Sequence, residues 1–269
     1  MYKLRSWINT DLLDWYQVNS HAKAIEILEA DPEKIDWLKI SQNPAAIHIL
    51  EKNKDKISWT YVSENPGAVG LIERNKSRVQ ESLNYICSNP EAIHLVTPDD
   101  YRWNQLSANP AAIHLLEANP ERINWFCLST NPAAIHLLEA NPDNINWRKL
   151  SSNPAAIHLL TKNPRKINWT ELSENPGAME LLEANQDKIC WPYLCKNPAA
   201  IKLLEANQDK IFWPYFSANP EIFEYDYERM KRPFTEELMA NRFHPDNIHK
   251  FEAWGLLNKP SANLTGGGF

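Results

Sequence analysis

A segment close to Asn-Pro-Ala-Ala-Ile-His-Leu-Leu-Glu-Ala-Asn-Pro, followed by Ile-Asn-Trp and Leu-Ser, returns nine times between residues 21 and 218, and nothing else in the chain restricts its fold as much. The opening position falls at His21, Asn43, Asn65, Asn89, Asn109, Asn131, Asn153, Asn175, Asn197 and Asn219, a step of 22 residues broken at one place. There Asn65 to Asn89 takes 24 residues and Asn89 to Asn109 takes 20, which restores the register. A Trp stands six residues before the next opening position at Trp37, Trp59, Trp103, Trp125, Trp147, Trp169, Trp191 and Trp213, and Leu83 replaces it in the irregular repeat. A period in the range of about 20 to 50 residues, held over so many copies, marks a solenoid whose repeats bury their apolar faces against their neighbours. One globule around a single core is the weaker reading.

The repeat from Asn131 to Ser152 shows why the array should be helical. Asn131 can accept a hydrogen bond from an orphan amide of a first turn, and Pro132 lacks the amide that would otherwise go unsatisfied. Ala134, Ile135, Leu137 and Leu138 then share one side of a 3.6-residue helix, with His136 opposite. Asn141-Pro142-Asp143 reads as a second start signal, opening a second helix that carries Ile145, Trp147 and Leu150 inward. Two prolines per repeat and the lack of period-2 alternation exclude strands. Such helices are shorter than the roughly 12 to 15 residues that an isolated helix needs, so stacking must hold them.

The expected fold is therefore all-α: an α-solenoid of short helix pairs with a 22-residue repeat and a helical C-terminal cap. Residues 1–20 read as an N-terminal cap or half repeat, with Trp15 standing 22 residues before Trp37. Residues 21–218 are the nine tandem repeats, 219–258 a helical cap and 259–269 a flexible tail. In the cap, Thr235 is the expected helix start, and Leu238, Met239, Phe243, Ile248, Phe251 and Trp254 are its apolar positions. The body should be elongated, with each end of the stack capped. The joint at 74–103, where two residues enter between Val79 and Leu83 and two are lost around Thr97 to Tyr101, is either a tolerated loop change or a bend that shapes a groove.

Composition limits what such an array can do. A net charge of −6 and a pI near 5.8 argue against a chain whose main task is to neutralise phosphates. Cys87 and Cys195 fill slots held elsewhere by Ser107, Ser151 and Ser173, and Cys190 fills an Asn slot, so the four cysteines, Cys127 included, suggest neither a zinc site nor a disulfide framework. Without a signal-like start or an apolar run of about 18 residues, a soluble protein of a reducing compartment is expected. No Gly-rich phosphate loop, HExxH or GxSxG is present, and the acids recur as rows, so neither an enzyme nor a cofactor or small-molecule substrate is expected.

Three kinds of row remain. His48, His94, His114, His136 and His158 share one slot, but equivalent residues of stacked helices sit about 8 to 10 Å apart, too far to ligate one metal. They read as a solvated row, with a proton-sensitive patch as the sharper alternative. The Trp row reads as core. Glu29, Glu51, Glu73, Glu117, Glu139, Glu183 and Glu205, and likewise Lys34, Lys56, Arg78, Arg122, Lys166, Lys188 and Lys210, read as solvated charge rows with weak ion pairs, or as a basic stripe that meets an acidic partner.

The two residues after each Trp behave differently, running Leu38-Lys39, Thr60-Tyr61, Asn104-Gln105, Phe126-Cys127, Arg148-Lys149, Thr170-Glu171, Pro192-Tyr193 and Pro214-Tyr215. A constant frame with changing side chains suits recognition of an extended protein partner, with Tyr61, Arg148, Lys149, Tyr193 and Tyr215 as the candidate contacts. Unconstrained exposure would give the same variation.

The repeat string quoted above, with the closing stretch around Phe243-His244-Pro245 and Ile248 to Trp254, resembles short tandem repeats in uncharacterised proteins of giant double-stranded DNA viruses. The resemblance covers roughly residues 12 to 255 and implies an α-helical repeat protein made in infected cells, in the cytoplasm or the virion; it brings no active site. A non-enzymatic protein-binding scaffold, such as a viral adaptor or host-interaction module, is the expected function. The alternatives are a structural or virion-associated protein and a nucleic-acid-binding helical repeat, the last disfavoured by the acidic balance. No membrane partner is expected.

Overall fold

The computed structural model describes residues 1–79, 82–97 and 102–231, so the expected helical cap from Thr235 to Trp254 and the tail 259–269 lie outside the described residues. The chain divides into two bodies, one of Tyr2–Glu224 and one of Met1 with Tyr225–Phe269. In the described part of the second body, Asp226 accepts the amide of Arg229 at the start of a helical turn.

The first body is an all-α repeat solenoid in the expected register. In the repeat from Asn131 a 3-10 turn, Pro132–Ala134, runs into an α-helix, Ile135–Ala140; a second 3-10 turn, Pro142–Asn144, precedes a one-turn helix, Trp147–Leu150. Ala134, Leu138, Leu150 and Ser151 are fully buried, and each repeat places the same slots in one continuous core. Burying a Leu side chain is worth about 1.5 to 3 kcal/mol, and two such Leu per repeat recur along the stack.

The second half of the repeat departs from a single helix opened by Asn141. The Asn141 side chain turns back and donates to the Leu137 carbonyl at 2.9 Å, closing the first helix, and makes no cap bond to the turn after it. Ile145 is extended, at φ −66° and ψ 121°, which separates the turn from the Trp helix. The true cap of that helix is Asn146, whose Oδ1 accepts the Lys149 amide at 3.0 Å. An Asx residue one position before the apolar run outcompetes an Asn-Pro placed too early to reach its amides.

The opening Asn is the spine of the stack. Asn153 is fully buried; its Oδ1 accepts the Ala155 amide at 3.0 Å, while its Nδ2 donates to the carbonyls of Ser129 and Asn131 in the preceding repeat, at 3.1 and 3.0 Å. Asn43, Asn65, Asn89, Asn131, Asn175, Asn197 and Asn219 repeat this pattern, and Asn109 keeps the bond to Cys87. The spine also crosses the irregular joint. Asn89 still reaches Ser63 and Asn65, so the register of the spine is kept from one side of the insertion to the other. Beside it runs a hydroxyl spine: Ser129 Oγ donates to the Trp125 carbonyl and accepts the Asn146 amide. Cys195 fills that slot as a thiol, accepting the Phe212 amide at 3.3 Å.

The two ends of the array meet, where open, capped ends were expected. Strand β1 (Tyr2–Leu4) pairs with β2 (Phe223–Tyr225), and the Arg5 amide donates to the Ile222 carbonyl at 3.0 Å. The Asp14 amide donates to Ser217 Oγ at 2.8 Å, the same bond that Asn146 makes to Ser129. The helix Trp15–Val18 thus stands where the Trp helix of a tenth repeat belongs, and the C-terminal side supplies that repeat's opening turn, Pro220–Ile222. One repeat is thus assembled from both ends of the array, the first supplying its Trp helix and the last its opening turn.

Candidate protein-binding face

The residues after each Trp lie along one face. The first is exposed in Leu38 (52%) and Phe126 (51%), and Tyr16 and Tyr85 on the same face are also exposed, an unusual concentration of large apolar groups in solvent. Side-chain contacts tie the face together from repeat to repeat. Lys149 Nζ lies 5.5 Å from the Phe126 ring centroid; Arg148 Nε meets Glu171 Oε1 at 2.9 Å; Tyr193 and Tyr215 meet edge to face at 5.9 Å, with Lys196 Nζ 4.2 Å from the Tyr215 centroid. The neighbouring Tyr61 hydroxyl, more than burial, raises the Tyr16 phenol above its usual range. The two phenols come from positions two repeats apart in sequence.

Of the sequence candidates, Arg148 is exposed, whereas Tyr61, Lys149, Tyr193 and Tyr215 are partly covered by these neighbours. Two acids qualify the face further. Glu171 is buried, at 5% exposure, between Arg148 and Lys149, and burial raises the Glu174 carboxyl above its ordinary range while Lys196, 3.9 Å away, pulls it back. Sequence reasoning passed over Tyr16, Leu38, Tyr85 and Phe126 as anchors. The signal was available, since a large apolar residue in a variable, solvent-facing slot is the anomaly to look for.

The other rows are structural in their contacts. Each Trp from Trp15 to Trp213 is half-buried rather than sealed in the core, and in several repeats a cation nineteen residues on lies over the ring: Lys34 over Trp15 at 4.2 Å, Lys56 over Trp37 at 4.6 Å, Lys166 over Trp147 at 4.3 Å, Lys188 over Trp169 at 4.5 Å and Lys210 over Trp191 at 4.2 Å, whereas Asn144 stands at that place after Trp125. The basic row therefore faces its own aromatic row. The glutamates pair with the histidines of the next repeat, His48 with Glu29 at 2.7 Å, and His136 with Glu117 and His158 with Glu139 at 2.9 Å. Gly70 replaces this histidine in one repeat, and Arg74 reaches Glu51 instead, at 2.6 Å.

A cavity of about 590 Å³ opens beside that exchange, lined by Glu51, Lys54, Ile57, Trp59, Leu71, Arg74, Asn75 and Arg78. Its two arginines are engaged, Arg74 with Glu51 and Arg78 over Trp59 at 5.6 Å. Among the described residues, no group of His, Cys, Asp and Glu could hold a metal ion, all four cysteines are free, and no helix is long and apolar enough to cross a membrane.

No protein-family model, curated protein or solved structure matches the chain.

Proposed function

We propose that the chain is a non-enzymatic scaffold that binds another protein along the face formed by the residues after each Trp. The observation that carries this reading is a contrast between neighbouring slots. The Asn and Ser spines recur along the array and hold its repeats in one frame, yet the adjacent slots place Tyr16, Leu38, Tyr85 and Phe126 in solvent. Large apolar and aromatic side chains on a rigid frame are what interface hot spots are made of. Arg148 adds a planar donor beside them.

The experiment is site-specific photo-crosslinking in extracts of the source cells, with the reactive residue placed at Leu38, at Phe126, and at His136 on the opposite row. Specific adducts at Leu38 and Phe126, lost when Tyr16, Tyr85 and Arg148 are changed to Ala in a chain that retains its helical spectrum, are expected. Adducts confined to His136, or none at the first two positions, would overturn the proposal. If the likeness of the repeat to giant-virus proteins reflects its source, the partner is to be sought in infected cells.

A further inference from the structure

The junction that joins the two ends of the array differs chemically from the others. Nine junctions use a buried Asn, from Asn43 to Asn219, whose amide does not titrate near neutral pH. At the tenth, the opening slot holds His21, whose Nε2 donates to the Ser217 carbonyl at 2.9 Å, the place of the Nδ2 bond elsewhere. The ring meets Phe223 edge-on at 5.8 Å. The junction is also less complete, because the buried Trp7 Nε1, on a ring stacked 5.6 Å from Phe216, lacks a hydrogen-bond partner.

We propose that this seam is an acid-sensitive clasp: protonation of His21 loosens the contact between the segment Arg5–Lys23 and the segment Phe216–Glu224, while the nine Asn junctions hold. The charges around the ring give the direction. Lys23 stands two residues away and Lys39 comes from the helix Trp37–Ile40 of the same repeat; across the seam Glu221 is taken by Lys23 at 2.8 Å, and Glu224 lies 3.7 Å from both Lys3 and Arg5. Four cations thus face two carboxylates that already have partners, and an imidazolium would add to the excess. Burial, more than Lys23 and Lys39, holds the His21 imidazole below its usual range, and the bond to Ser217 opposes that only in part.

A histidine depressed in the closed state is protonated more readily once the seam opens. Its contribution to closure is complete above the ordinary histidine pKa of about 6.5 and is lost as pH falls through that value towards the depressed one. Each Asn junction is unaffected over that interval. A closed array with one titratable junction would open at one defined place and expose the seam residues of both ends.

Hydrogen exchange of the whole chain at about pH 7.5 and about pH 5.5, corrected for the intrinsic pH dependence of exchange, tests this. Protection of the Arg5 and Asp14 amides, which bond across the seam, should fall severalfold at the lower pH relative to the Asn146 amide of an internal junction. In His21→Asn, which installs the side chain used at the other nine junctions, that fall should vanish. His21→Gln gives a second neutral variant should His21→Asn misfold. Unchanged seam protection in the parent chain, or an equal fall in a folded neutral variant, overturns the proposal.

Discussion

Asn153 allows the two roles of the opening Asn to be separated. If it served only as a helix cap, Asp would replace it at almost no cost, since the two cap equally well. The structure requires more, because Nδ2 also donates to two carbonyls of the preceding repeat. In Asn153→Ala the Ala155 amide loses its acceptor, about 1 kcal/mol. The Ser129 carbonyl loses its donor in a buried site, about 1 to 3 kcal/mol, whereas the Asn131 carbonyl keeps the Ala134 amide at 3.2 Å. The total is about 3 kcal/mol. Asn153→Asp keeps the cap but turns a carboxylate oxygen towards two carbonyl oxygens in a fully buried site, so at neutral pH it should cost at least as much as Ala. In acid the protonated Asp regains one donor, and the deficit should shrink. The assay is urea unfolding followed by Trp fluorescence, read as a midpoint shift at constant slope. Ser152→Ala, one residue away and losing only the Oγ bond to the Lys149 carbonyl, is the control and should shift stability by about 0.5 kcal/mol or less. An Asp variant within about 1 kcal/mol of the parent at neutral pH would refute the inter-repeat role of the side chain.

Two further substitutions probe the contacts between repeats. A Cβ added at Gly67 would stand 2.5 Å from the Pro44 carbonyl oxygen, although Ala fills the same slot in the repeats of Ala133 and Ala155, so Gly67→Ala should destabilise by about 1 to 3 kcal/mol in the same urea assay while Ala133→Gly costs under about 1. Lys166→Ala removes the cation 4.3 Å above Trp147, and an exposed pair of this kind should lose about 0.5 to 1 kcal/mol, with a change in Trp emission and little dependence on salt compared with a surface ion pair.

The period, the helical class and the inward apolar slots were legible because each is written nine times, and the repetition averages out local accidents such as Cys195 in a Ser slot. What one repeat cannot show was read less well. Asn141 and Asn146 are both plausible caps on sequence grounds, and only the backbone geometry decides that the first closes one helix while the second opens the next. The pairing of Trp147 with Lys166 crosses from one repeat into the next, and a reading confined to a single repeat assigns both to separate rows. The meeting of the ends was hidden for a stronger reason. It depends on the small rotation between neighbouring repeats, summed over the whole array.

Closure changes what the terminal residues are for. In an open array the first and last repeats each leave one apolar face that a cap must cover, and a cap can be any polar-backed helix. Here Trp7 stacks on Phe216, Asp14 bonds to Ser217 and Arg5 Nε donates to the Glu221 carbonyl at 2.7 Å, so the covering surface for each end is the other end. The last loop is then closed by about two hundred residues of chain, yet the entropy of closing a loop grows only with the logarithm of its length, and a pre-stacked array is stiffer still than the flexible chain for which that law holds. The cost falls on the register instead. The rotations between successive repeats must together bring Ser217 within hydrogen-bond distance of Asp14, and the compensated step of 24 and 20 residues between Asn65 and Asn109 preserves that sum, because an uncompensated insertion would displace every later repeat and with it the seam.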